Sequence, residues 1–303
     1  MKVLLVNVDS ILPNLALEKL RVYHERRGAK IYRIKDKSLL PFMDVYDKIY
    51  VSCVFDYNKH RCKKWEGIAE IGGSGYSLKK QLPAVIEKIK PKMNFGFTTR
   101  GCIRNCPWCI VPQKEGKLSI VGDVYDLWDG KSKDIIIMDN NILAAPEHFF
   151  KISGQLKKES LRVDFNQGLD HRLLTDKICK ELFSLHHCKE IRFAFDHISY
   201  KKSVMKALKM LRKNGLKDWR TRWYIYVSIS DTFDTVMERI NILRKAKQLV
   251  YLMKDRAVYN KSEYKEIFSW CNFPGFYKAT PYYEGCLFSK SKKIYKETKP
   301  NLF

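Results

Sequence analysis

The chain reads as an α/β protein: a small Rossmann-like parallel-sheet domain followed by a partial (β/α)6 barrel. Three observations predict this. Short apolar runs alternate with segments of helical periodicity along most of the chain, the order that builds parallel sheets. The runs from Lys2 to Val8 and from Asp134 to Met138 are apolar almost throughout, as strands buried on both faces are. Six β/α units follow one another between residue 94 and about residue 271, six strands of which all but the first are followed by a helix. The expected domains are therefore 1–92 (Rossmann-like), 93–275 (partial barrel) and 276–303, a basic and partly irregular tail.

Lys2 to Val8 is the first strand. From Leu12 to Arg27, Leu15, Leu17, Leu20 and Tyr23 recur at helical spacing, and Gly28 is placed to end that helix. Lys30 to Ile34, Lys48 to Phe55 and Glu66 to Ile71 read as further strands, before a turn at Gly72-Gly73-Ser74-Gly75-Tyr76. That glycine cluster fits neither G-x-G-x-x-G nor a P-loop. Lys79 to Lys92 is expected to be a helix leading into the second domain. There the strands are Phe95 to Thr99, Asp134 to Met138, Arg162 to Phe165, Glu190 to Phe195, Trp223 to Ile229 and Leu249 to Leu252. The helices are Pro146 to Lys157, Leu173 to Leu185, Lys201 to Asn214, Thr232 to Gln248 and Ser262 to Cys271. Ligand sites in such folds lie at the carboxyl ends of the strands.

Composition narrows the class. At 45% hydrophobic residues, the 303-residue chain can bury a core. No apolar run approaches the roughly 18 residues of a transmembrane helix, so no membrane role is expected. The apolar part of the amino-terminal run is too short for a signal peptide. Nine irregularly spaced cysteines fit reduced thiols, and hence a cytoplasmic protein, better than a disulfide framework. Of these, Cys53, Cys62, Cys179, Cys188, Cys271 and Cys286 are too scattered for an additional cluster. Fifty-seven Lys and Arg against thirty-three Asp and Glu give a net charge of +24. Such a surplus draws polyanions and makes nucleic acid a candidate partner; the alternative is a solvated lysine coat.

The densest chemical signal is Gly101-Cys102-Ile103-Arg104-Asn105-Cys106-Pro107-Trp108-Cys109, a C-x3-C-x2-C spacing. Three neighbouring thiolates suit a cubic [4Fe-4S] cluster and leave one iron open. The alternative is zinc at Cys102, Cys106, Cys109 and a histidine, which needs no open position. Gly101 is expected to allow a tight turn, with Arg100, Arg104, Lys114 and Lys117 adding positive charge.

At these residues, with Trp108 in the aromatic slot, the chain resembles the radical S-adenosylmethionine (radical SAM) enzymes, whose signature is C-x3-C-x-aromatic-C. The resemblance implies a [4Fe-4S] cluster on Cys102, Cys106 and Cys109. It also implies S-adenosylmethionine as cosubstrate, radical chemistry on an unidentified substrate, and a flavodoxin or ferredoxin as reductant. The implied cofactor contacts are Trp108, Asp139, Asn140, Gln167, Asp196 and Ser228. Asp139-Asn140-Asn141 stands where the family carries a Gly-Gly-Glu type turn, and turn formation alone also explains these residues. Asp170 and Arg172 are either site residues or a structural ion pair, and Asp231 is either a site residue or a helix N-cap. Lys254 and Arg256 are candidates for an anionic group.

The first domain resembles the cobalamin-binding type but lacks its D-x-H-x-x-G motif, so His24 is expected on the surface at a helix end, where a cation suits the dipole. The other function class is a non-enzymatic, basic nucleic-acid-binding protein with structural zinc. For a nucleic-acid substrate or ligand, bases would stack on aromatics mixed with cations near the carboxyl terminus: Arg256, Tyr259, Lys261, Tyr264, Lys265, Trp270, Phe273, Phe276, Tyr277, Lys278, Tyr282 and Tyr283.

Overall fold

The computed structural model describes residues 1–36, 45–255, 258 and 262–279. They form an α/β architecture of several small parallel sheets. The chain divides into two compact units, Met1–Met138 and Asp139–Phe303.

In the first unit, β1 (Lys2–Asn7), α1 (Leu15–Glu25), β2 (Lys30–Lys35), β3 (Lys48–Ser52) and β4 (Glu70–Gly72) build a parallel sheet of order β2-β1-β3-β4. The apolar run of β1 feeds two cores. Leu4 and Val6 pack with Val51, Trp65 and Ile71 on one face, while Val3 and Leu5 pack with Leu17 and Leu20 on the other. A strand covered on both faces has no reason to alternate with polar residues.

The strand expected from Glu66 to Ile71 keeps only its end. The segment Asp56–Trp65 winds as a 3-10 helix, and its buried Trp65 donates Nε1–H to the Asp36 carboxylate at 3.1 Å. Gly73 (φ 97°) and Gly75 lie against the backbone leaving β3. A Cβ on Gly73 would collide with the Cys53 carbonyl, and one on Gly75 with the backbone of Phe55. Close backbone approach accounts for this glycine cluster.

His24 is a correction. It is buried, not on the surface, with Nε2 3.0 Å from the Tyr50 hydroxyl. Desolvation, followed by the charges of Lys48 and Arg27, lowers its pKa, so the ring is a neutral core group and no dipole-matching cation. The helix expected from Lys79 to Lys92 contracts to α2 (Ala84–Glu87). Pro83 immediately before it disfavours helical backbone at Leu82 and lacks a donor.

The rest of this unit holds β5 (Phe95–Gly96), β6 (Thr99–Arg100), α3 (Val111–Lys114), β7 (Ser119–Ile120), α4 (Val124–Leu127) and β8 (Asp134–Ile137). β5 pairs in parallel with β8, and β6 pairs antiparallel with β7. The single strand expected from Phe95 to Thr99 is thus two short strands with different partners.

The second unit contains α5 (Pro146–Lys158), β9 (Arg162–Phe165), α6 (Asp176–Ser184), β10 (His186–His187), β11 (Ile191–Ala194) and α7 (Lys201–Lys213). β12 (Thr221–Val227), α8 (Phe233–Lys245), β13 (Leu249–Lys254), α9 (Ser262–Cys271) and α10 (Pro274–Ala279) follow. β9 pairs with β10, and β11-β12-β13 form a parallel sheet. In β12, Thr221, Trp223, Ile225 and Val227 are buried while the residues between them are half-buried. Of the expected tail, Phe276 and Tyr277 are buried within α10; residues 280–303, including Cys286, lie outside the described residues. Among the described residues no helix is long and apolar enough to cross a membrane.

Candidate functional site

The cysteine loop follows β6 in the first unit. Gly101 (φ 77°) turns the chain so tightly that a Cβ would strike the Lys117 carbonyl, and the Cys102 amide then donates to Gly116 O at 3.2 Å. Arg100 pairs with Glu115 at 2.9 Å and lies over the Phe97 ring. The Lys114 ammonium donates to the Lys80 carbonyl at 3.0 Å. Within the loop, Cys102 Sγ accepts from the Arg104 amide at 3.3 Å, and Cys109 Sγ from the Val111 amide at 3.5 Å.

Among the described residues, no group of three or more His, Cys, Asp or Glu side chains is arranged to hold a metal ion. This finding overturns the iron–sulfur expectation for Cys102, Cys106 and Cys109. The [4Fe-4S] cluster, S-adenosylmethionine, radical initiation, the reductant inferred for it and the radical SAM resemblance are withdrawn together. The zinc alternative falls on the same ground. Spacing put three thiols into one loop, but the fold does not gather them around a common ion.

The remaining residues expected to contact the cofactor divide between the units. Trp108, half-buried, belongs to the first; Asp139 and Asn140, just after β8, and Gln167, Asp196 and Ser228 belong to the second. Asp139 is buried, while Asn140 and Gln167 are half-buried. The strand ends of the second unit carry a dense polar network, most of it structural. Asp170 and Arg172 form a forked ion pair at 2.7 and 3.2 Å. His171 is held between the Ala194 carbonyl and the Ser203 hydroxyl. Asp164 pairs with Arg192.

Arg239, with a fully buried side chain, donates to the carbonyls of Asp196 (2.7 Å) and Tyr226 (3.0 Å) and to the Asp231 carboxylate (2.7 Å). Asp231 also accepts from the Ser228 amide and hydroxyl, and Thr232, not Asp231, caps α8. The structure thus links Asp196 and Ser228 through Arg239 and Asp231. Asp196 itself accepts from the Tyr226 amide at 3.2 Å. Desolvation is the largest influence on its carboxyl and pushes its pKa up to about 6.

The carboxyl-terminal aromatics are mostly core. Tyr264, Trp270, Phe276 and Tyr277 are at most 3% exposed, which removes them as base-stacking surfaces; Phe273, Lys265 and Lys278 are exposed. Arg256, Tyr259, Lys261, Tyr282 and Tyr283 lie outside the described residues.

A different basic surface stands out. α7 buries Val204, Ala207, Leu208 and Leu211 and turns Lys202, Lys206 and Lys209 outward. Between α7 and α8 runs an open groove of about 640 Å³, lined by Lys209 and Arg212 on α7, Lys245 on α8, and Lys247 just beyond it. Met205, Leu208 and Ile242 supply its apolar lining. Its one acid, Asp218, is held by Arg212 at 2.6 Å and Lys247 at 3.1 Å. Lys209 and Lys245 have no acidic partner among the described residues. The sequence signal was the Lys-Lys-x3-Lys-x2-Lys-x2-Arg-Lys pattern of α7, whose helical spacing puts Lys202, Lys206 and Lys209 on one stripe. Compared with models of known protein families and with curated proteins, the chain matches none.

Proposed function

We propose that this chain binds nucleic acid through the groove between α7 and α8. The observation that carries the reading is the pair Lys209 and Lys245, one from each helix, without acidic partners among the described residues, while Asp218 in the groove lining is already engaged by Arg212 and Lys247. The net charge of +24 supports it by drawing polyanions toward the whole surface. The stripe of Lys202, Lys206 and Lys209 adds a regular array, with neighbours about 5–6 Å apart at Cβ. Such spacing suits a polymer with one charge per unit.

The test is fluorescence anisotropy with labelled oligonucleotides across a salt series. Joint Lys209→Glu and Lys245→Glu substitution should weaken binding at least tenfold. It should also reduce the slope of log affinity against log salt by about 1.4–1.8, the counterions of two phosphate contacts. Lys158→Glu, an exposed change on α5, should do far less. Binding unmoved by the double reversal would reject the groove as the interface.

A second reading concerns the strand ends. Gln167, Asp196 and Ser228 follow β9, β11 and β12, at the edge where α/β folds take small ligands. A carboxyl pushed up to about 6 is suited to exchange a proton near neutral pH, which supports a role for Asp196 in a polar ligand site. Carboxyl-carbon NMR should give a midpoint near 6 for Asp196; a midpoint near 4, the ordinary carboxylate range, would remove the support.

A further inference from the structure

Resting on the nucleic-acid reading above, we infer that the nucleic acid taken by the α7/α8 groove is single-stranded. The groove is not simply a cationic trough. Its lining includes Leu208, Ile242 and Met205, and Met205 is 42% exposed. An exposed apolar side chain in the same groove as two ammonium groups favours a ligand that combines phosphate with an accessible apolar face. A duplex offers phosphate and sugar on its outside and keeps base faces stacked within. It would meet Lys209 and Lys245 and leave Met205 in water. An unpaired strand can place its phosphates on the lysines and turn a base onto the thioether and the aliphatic side chains, removing both surfaces from water. The groove's volume of about 640 Å³ lies within the ~300–1,000 Å³ of sites that enclose small ligands, room for a base with its sugar.

One end of the groove is also built firmly. Trp219 (φ 60°) and Lys247 (φ 54°) both adopt left-handed backbone that favours glycine. The Trp219 amide donates to Lys247 O at 2.7 Å. Lys247 in turn holds Asp218, and Arg212 ties Asp218 to the Ala246 carbonyl. The ends of α7 and α8 are thereby joined at this side of the groove.

The experiment compares labelled twelve-nucleotide single strands, DNA and RNA, with the matching twelve-base-pair duplexes, using the full chain at low salt. Single strands should bind at least tenfold more tightly. Met205→Ser, which removes the apolar contact without adding charge beside Lys209, should lose most of that preference, weakening single-strand binding at least tenfold while changing duplex binding less than threefold. Met205→Leu should keep it. Because Met205 is exposed, unchanged circular dichroism and melting temperature should accompany both variants. Duplex binding as tight as single-strand binding would overturn the inference, as would equal losses for both ligands in Met205→Ser, and either result would leave the nucleic-acid reading standing. Absence of binding to every oligonucleotide would overturn both.

Discussion

His24, His187 and Asp196 pull stability in opposite directions with pH. Burial lowers the pKa of both histidines below the ordinary 6.5. Between that value and the lower folded one, the unfolded chain binds more protons, so their contribution falls as pH drops through 6.5. Asp196 behaves inversely. Its folded pKa of about 6 lies above the ordinary 3.8, so the folded chain holds more protons between those values, and the contribution of this group grows as pH falls through 6. Urea midpoints measured from pH 8 to pH 5 should separate the two. Asp196→Asn should stabilise the protein at pH 8, where the wild-type carboxylate is charged and desolvated, and the gain should vanish near pH 4. The His24–Tyr50 contact gives a sharper check. Tyr50→Phe leaves Nε2 of a buried ring without its hydroxyl partner, and Nδ1 already has no hydrogen-bond partner among the described residues, so a loss of about 1–3 kcal/mol is expected. An unchanged urea midpoint would mean the ring shifts to find another partner.

α7 and α8 show what can be read from sequence at the level of elements. Their periodicity placed both helices within about three residues of their observed ends, because a buried apolar stripe and an exposed polar one leave a 3.6-residue imprint. β9 and α9 were legible with the same ease, while the 3-10 segment Asp56–Trp65 was not, since Arg61, Lys64 and Trp65 tie it to Asp36 in a distant part of the chain. The cysteine spacing was equally visible, yet spacing carries no information on where the sulfurs point. The groove stayed hidden because Lys209 and Lys245 belong to different helices and stand 36 positions apart in sequence (245 − 209). Leu211→Ala, in the fully buried stripe of α7, should cost about 2–5 kcal/mol in chemical denaturation. Arg239→Met should cost about 3–5 kcal/mol, because it strands the Asp231 carboxylate and the carbonyls of Asp196 and Tyr226. A loss below 1 kcal/mol would show that water replaces the guanidinium.

The whole molecule carries a surplus of positive charge that opposes its own compactness. Salt should therefore act twice, and with opposite signs. Raising NaCl from about 0.05 to 0.5 M shortens the screening length several-fold, which should raise the melting temperature of the protein alone. The same change should abolish most of the stabilisation conferred by a bound oligonucleotide, worth about 2.7 kcal/mol at a hundred times its dissociation constant. Differential scanning fluorimetry with and without oligonucleotide reads both trends in one experiment. A melting temperature that falls with salt in the free protein would mean that its ion pairs outweigh its repulsions.

The thirteen residues of α7 set a ruler for any strand lying along it. At 1.5 Å per residue the helix is about 20 Å long, and a polymer following it leaves the grip at either end. Each copy of the protein then covers only a few nucleotides. A long strand becomes a lattice with many overlapping footprints, filled easily at first and with difficulty once the gaps between neighbours grow shorter than a footprint. Saturation is then best counted in nucleotides per protein, and an isotherm on a long strand should approach its plateau more gradually than one on a twelve-nucleotide piece.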